Sequence, residues 1–462
     1  MKRFSILPLI AGCALFAGAP TTIAIHNARV IPVSGPAIPR GNVILRNGLI
    51  EAVGADVALP ADAWVIEGDG LTVYPGLIDA LSTFGIPEAA PAVPTGGGRG
   101  GVPAQPAQPT QATPAVPVNP PARGPEDRPY TTSWIRAADL IRPADRQIES
   151  ARAEGFTTAV TYPPRGIFAG QGAIIDLAGE KAGDMVVAEN AGQFVTFTTS
   201  PGFGGGFPNS LMGVIAYVRQ VYLDAEHYRL AKQFYNAHAR GTPRPDYDRA
   251  LEGVLDSPRV LLPARRRIDV DRLLRLADEL HMKALLYGLP EGYRSADLLK
   301  KANAAALVSL RWPDKARDSD PDEIDTLNVL ELRDRAPSTP SILAKNGVKF
   351  ALYSGGIDRR ADLIRAVKRA LDAGLSEDDA LRAMTLSPAE IYGVADRLGS
   401  IEKGKIANLV VTRGDLFQDR TEIKYVFVDG VKFEPVEEPL QPGARPDTPT
   451  GPTADGPRGA HQ

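Results

Sequence analysis

The side chains able to do chemistry are few and scattered. His26, His227, His238, His281 and His461 are the five imidazoles of the chain, and Cys13 is its one thiol. A zinc site needs several histidine, cysteine or carboxylate donors converging on one point. His26 stands alone in a strand-like run and reads as structural. His227 and His238 are eleven residues apart, about three turns of one helix, with no carboxylate at ligand spacing. His281 follows a helix, where a capping role suits it. A single cysteine excludes an intrachain disulfide and a cysteine-based zinc site.

These candidates need a frame, and the patterning supplies an α/β one. An apolar-periodic helix over 143–153, ended by Gly155, leads into the strand-like Phe156-Thr157-Thr158-Ala159-Val160-Thr161-Tyr162. Strand, helix, strand recurs through Val260–Pro263, Ile268–Leu280, Met282–Gly288 and Ala306–Trp312, then Val348–Gly356. Leu211 to His238 reads as one long amphipathic helix. The glycine-rich runs 166–175 and 202–207 read as tight turns, since neither has a dinucleotide fingerprint between strand and helix. Near the N-terminus, strand-like runs flank an Asn47-Gly48 hairpin signal, and Asp429-Gly430 gives the same signal near the other end.

Tyr74-Pro75-Gly76-Leu77-Ile78-Asp79-Ala80-Leu81-Ser82-Thr83 carries a family resemblance. It is similar to the opening of the amidohydrolase superfamily barrel, in the imidazolonepropionase-like branch, where Pro-Gly-Leu-Ile-Asp-x-His-x-His supplies two metal-binding histidines. Gly399-Ser400-Ile401-Glu402-Lys403-Gly404-Lys405 resembles that family's exit, with Asn408 where aspartate is usual. The resemblance implies a (β/α)8 TIM-like barrel with a small β-sandwich domain built from both chain ends, and a C–N bond hydrolase using zinc or another divalent metal. Its ligand positions fall here on Leu81, Thr83, Tyr287 (or Leu286), Arg311 and Gly355. None of these is a usual ligand, so the expectation is a protein without the metal cofactor: a binding or scaffolding homologue. The alternative is a hydrolase of an amide or cyclic amide, with Arg311 holding an anionic substrate or an oxyanion, Tyr287 donating a proton and Asp358 acting as a base from a loop.

Organisation follows. Residues 1–19 read as an export signal, with Cys13 as a lipidation candidate in a lipobox-like Ile10-Ala11-Gly12-Cys13. The expected order is then first sandwich part 20–74, barrel 75–394, second sandwich part 395–433 and a disordered tail 434–462. A Pro/Gly-rich disordered insertion, 87–128, interrupts the barrel. The expected location is the periplasm or cell envelope, with membrane contact only through a lipid on Cys13. A net charge of −3 and a pI near 6.1 give no basic footprint, so nucleic acid is not an expected partner. A small-molecule ligand, self-association or pairing with an intact amidohydrolase are the partner expectations.

Overall fold

A computed structural model describes residues 22–87, 124–199, 207–315, 319–320 and 324–435. The expected export signal with Cys13, most of the 87–128 insertion, most of the 202–207 run and nearly all of the tail lie outside these residues. Among the described residues, no helix is long and apolar enough to cross a membrane.

Both chain ends meet in one eight-stranded sheet. The N-terminal part supplies β1 (Thr22–Val30), β2 (Ile38–Arg46), β3 (Leu49–Gly54), β4 (Trp64–Glu67) and β5 (Thr72–Pro75). The asparagine-glycine turn works as its sequence predicts: Asn47 (φ 51°) and Gly48 (φ 79°) both take left-handed conformations between β2 and β3. In the middle of the sheet β5 pairs on one side with β1 and on the other with a strand returning from the far end, Leu409–Arg413. Ile25, Val43, Ile50, Val73, Leu409 and Phe427 form its apolar core.

The central region is a mixed α/β body with two further sheets. Its strands are β6 (Leu77–Ser82), β7 (Phe156–Thr161), β8 (Phe168–Gln171), β9 (Ala173–Asp176), β10 (Val186–Ala188), β11 (Gln193–Val195), β12 (Val260–Ala264), β13 (Ala284–Gly288), β14 (Ala306–Ser309) and β15 (Phe350–Tyr353). One arc runs β10-β9-β7-β6 and the other β15-β14-β13-β12-β11-β8. The chain closes with β16 (Leu409–Arg413), β17 (Glu422–Val428) and β18 (Val431–Phe433) in the first sheet.

Backbone ladders among the described residues therefore draw two arcs where the resemblance implies one closed ring. The glycine-rich run 166–175, expected to be turns, supplies β8 and β9, and both pair antiparallel with neighbours. Its glycines are sterically required. A Cβ on Gly170 (φ 139°) would stand 2.6 Å from the Ile135 carbonyl oxygen, and one on Gly172 would stand 2.2 Å from the Tyr162 ring. From β11 to β15 the strands are parallel, as are β6 and β7.

Side chains from both arcs converge on one buried core: Ile78, Leu81, Tyr162, Phe194, Leu261, Tyr287, Leu307 and Tyr353 among them. A second, larger core lies between strands and helices. The helix Arg146–Glu154 belongs to it, starting on Asp145, whose side chain accepts from the Gln147 amide, and ending on left-handed Gly155. Helix Arg267–Glu279 buries Val270, Leu273, Leu276 and Ala277, while Leu274 and the following Leu280 are only partly buried.

Candidate site at the strand ends

In parallel α/β folds, ligands gather where strands end, and the candidates fall there in two groups. Leu81 and Tyr287 belong to the core enclosed by the arcs. Leu81 is 2% exposed, its side chain packed among the other apolar members of that core. The Tyr287 hydroxyl donates to the Val195 carbonyl at 3.1 Å, and its ring lies 5.2 Å from that of Phe194. Phe194 in turn lies 5.2 Å from Tyr162. Tyr162 donates to the Ala191 carbonyl at 3.2 Å, and Tyr392 donates to the Ala80 carbonyl at 2.8 Å. Each phenol is thus committed to a backbone carbonyl, and burial pushes the Tyr287 phenol well above its ordinary range. Leu286, the other register for this position, faces the helix-side core.

Arg311 and Gly355 form the second group. Arg311 is exposed just past β14; its amide donates to Ser309 Oγ at 3.1 Å and its Nη2 to the Gly356 carbonyl at 3.2 Å. Gly355 sits at φ 65°, and a Cβ there would stand 2.7 Å from Ser309 Oγ and 3.2 Å from Arg311 Cβ. The position matching the family's aspartate is therefore held by the Ser309 hydroxyl and the Arg311 stem. Thr83 is half-buried just past β6, and its carbonyl accepts from the Ile86 amide at 3.0 Å. Asp358 is exposed, and its carbonyl accepts from Ser150 on helix Arg146–Glu154 at 3.0 Å.

His227 and His238 are both exposed, and His238 Nδ1 lies 3.3 Å from the Phe234 carbonyl. Nδ1 of His26 pairs with Asn42 Oδ1 at 3.0 Å, which gives it the structural place its sequence suggests.

Three polar groups near the strand ends are missed by the sequence reading. Asp79, fully buried, accepts from Ser354 Oγ at 2.5 Å, Ser354 N at 3.2 Å and Leu81 N at 3.3 Å. Burial outweighs these three donors and pushes its carboxyl up to about 6. Its signal in the sequence is a lone acid inside an apolar strand. Tyr353, hydrogen-bonded to Ser309, lies beneath the Arg311 loop. Arg265 follows β12 directly and is exposed; in a run of three arginines nothing local marks it.

Do these residues suit the divalent metal the resemblance implies? Leu81 offers hydrocarbon, Thr83 a neutral hydroxyl, Tyr287 a phenol engaged elsewhere, Arg311 a cation and Gly355 nothing. That donor set does not fit. Among the described residues, no group of three or more His, Cys, Asp or Glu side chains is placed to hold a metal ion.

A family model described as "Amidohydrolase family" matches residues 296–432. An amidohydrolase from Thermotoga maritima MSB8 is similar in structure, with a TM-score of 0.69 at 24% identity, covering 89% of this chain and 100% of that one. A putative prolidase from Bifidobacterium longum gives a TM-score of 0.51 at 14% identity, over 90% of this chain and 95% of that one. No curated protein matches the sequence. At these identities the structural likeness speaks for architecture alone, and on it the chain has the fold of the amidohydrolases.

Proposed function

We propose that this chain is an exported amidohydrolase superfamily protein, of the imidazolonepropionase-like branch, whose barrel binds a small molecule or scaffolds a partner without metal-dependent hydrolysis. The observation that carries this reading is the packing of Leu81 and Tyr287 into the Tyr162–Phe194 core. Where the family's histidines hold a Lewis acid, this chain has hydrocarbon and phenols tied to backbone carbonyls. Without a ligand set, nothing lowers the pKa of an attacking water. Elemental analysis of the mature protein, expressed with added zinc and manganese, tests it. About one dialysis-resistant metal per chain would overturn the reading; a metal-free protein that shows ligand-induced thermal shifts without turnover supports it.

The second reading, hydrolysis of non-peptide C–N bonds at an unusual site, draws on the exposed guanidinium of Arg311. It needs Tyr287 to release the Val195 carbonyl, so the geometry favours it less. An activity unchanged in Arg311→Ala would remove it.

A further inference from the structure

We infer that Arg265 and Arg311, set on either side of β13 above the Ser309–Tyr353 hydroxyl pair, form a binding site for a small oxyanion such as an organic acid carboxylate. The inference deepens the binding reading above and rests on it for the location of the ligand.

Register puts the two arginines there. Ala264 pairs with Gly288 and Gly288 with Val308, so Arg265 and the Ser309–Arg311 segment leave the same edge on alternate strands. Two strand spacings separate their backbones by about 10 Å, a gap two arginine side chains can close over one ligand. Ser309 pairs with Tyr353 across β14 and β15 and accepts from the Arg311 amide. Tyr353 also lies within the electrostatic reach of Arg265. Arg311 meets this hydroxyl pair through its backbone amide, while its guanidinium is held at the Gly356 carbonyl just past β15.

Charge pairing separates these arginines from their neighbours. Arg266 is bonded to Asp269, and Arg267 grips Asp297 through two contacts of 2.6 and 2.8 Å. Neither Arg265 nor Arg311 forms a salt bridge among the described residues, and the one side-chain bond of Arg311 goes to a backbone carbonyl. Two cations without an acid partner at one sheet edge repel each other, and an oxyanion between them relieves that repulsion while using the planar forks that suit carboxylate and phosphate. At the position where the family carries an acid, Gly355 adds no competing negative charge.

Calorimetric titration of the mature chain with succinate and with inorganic phosphate, in EDTA and at constant ionic strength, tests the site. The expected result is saturable binding of at least one of them, weakened tenfold or more in Arg265→Ala and in Arg311→Ala. Arg272→Ala, which removes an exposed arginine from the following helix, should bind as the wild type does. A preference for succinate identifies a carboxylate ligand, the reverse a phosphoryl one. Equal affinity in all variants, or no saturable binding with or without EDTA, overturns the site. Binding that requires added zinc instead overturns the metal-free reading.

Discussion

Ser354 holds Asp79 with two donors, its Oγ 2.5 Å from Oδ2 and its amide 3.2 Å from Oδ1. The pair joins β15 to β6 where the two arcs meet without a backbone ladder, so a buried side chain takes the place of strand pairing there.

Asp79 makes that junction sensitive to pH. Its carboxyl is pushed by burial from the ordinary 3.8 to about 6 in the folded chain. Between those values the folded state keeps a proton the unfolded state has lost, so stability falls as pH rises from about 4 to about 6 and is level above. The free energy lost across that window is on the order of 3 kcal/mol. Asp79→Asn keeps an acceptor for the Ser354 amide and removes the charge. Denaturant titrations at pH 4.5 and 7.5 should show a smaller pH effect in the variant than in the wild type. An identical pH effect in both would mean that Asp79 is not the titrating group.

Asn408 poses the reverse experiment. Its Nδ2 donates to Asp176 Oδ1 at 2.7 Å and to Thr158 Oγ1 at 3.0 Å, while its Oδ1 accepts from the Asp429 amide at 2.7 Å. Burial pushes Asp176 up to about 7 against the help of Thr158 and Asn408. Asn408→Asp would replace a donor with a second carboxylate, and two adjacent carboxylates cannot both ionise cheaply. The variant should be near wild type at pH 5 and lose on the order of 2 kcal/mol or more by pH 8. Equal loss at both pH values would point to geometry and not charge.

The parts of this fold that local chemistry determines are legible in the sequence. Gly155 ends its helix, Asn47-Gly48 makes its hairpin, and the Pro75-Gly76 entry leads straight into buried β6, whereas the helix expected from 143 starts after its cap at Asp145. Long-range contacts are not legible. The run holding Gly170 and Gly172 reads as turns because glycine disfavours strands; here Ile135 and Tyr162 approach too closely for any other residue. Residue type at the positions the resemblance matches to ligands is readable, but the surroundings of those positions are not. Nothing local distinguishes Tyr287, bonded to Val195, from a tyrosine open to a ligand, while Arg266 meets Asp269 three residues on and Arg265 meets no acid among the described residues.

Restoring the family's acid at Gly355 should fail. A side chain there must tolerate φ 65° and a Cβ 2.7 Å from Ser309 Oγ. Gly355→Asp and Gly355→Ala should each cost about 1–3 kcal/mol, from the left-handed backbone and the displaced serine. Adding Ser309→Ala should recover part of that loss, a coupling a double-mutant cycle reads directly. Neither variant should capture zinc, because Leu81 and Arg311 still offer no ligand. A zinc-binding Gly355→Asp protein would show that hidden donors lie nearby.

Tyr287→Phe separates a structural hydroxyl from a chemical one. The change removes the donor to the buried Val195 carbonyl and leaves the ring against Phe194. An acceptor left without its partner costs about 1–3 kcal/mol, visible as a lower denaturation midpoint. Oxyanion binding should be unchanged, since this hydroxyl points to β11 and not to the space between Arg265 and Arg311. If Tyr287 were a proton donor in a hydrolase, the same variant would keep its stability and lose turnover. Measuring both quantities on one protein decides between the readings, because the two roles move opposite observables.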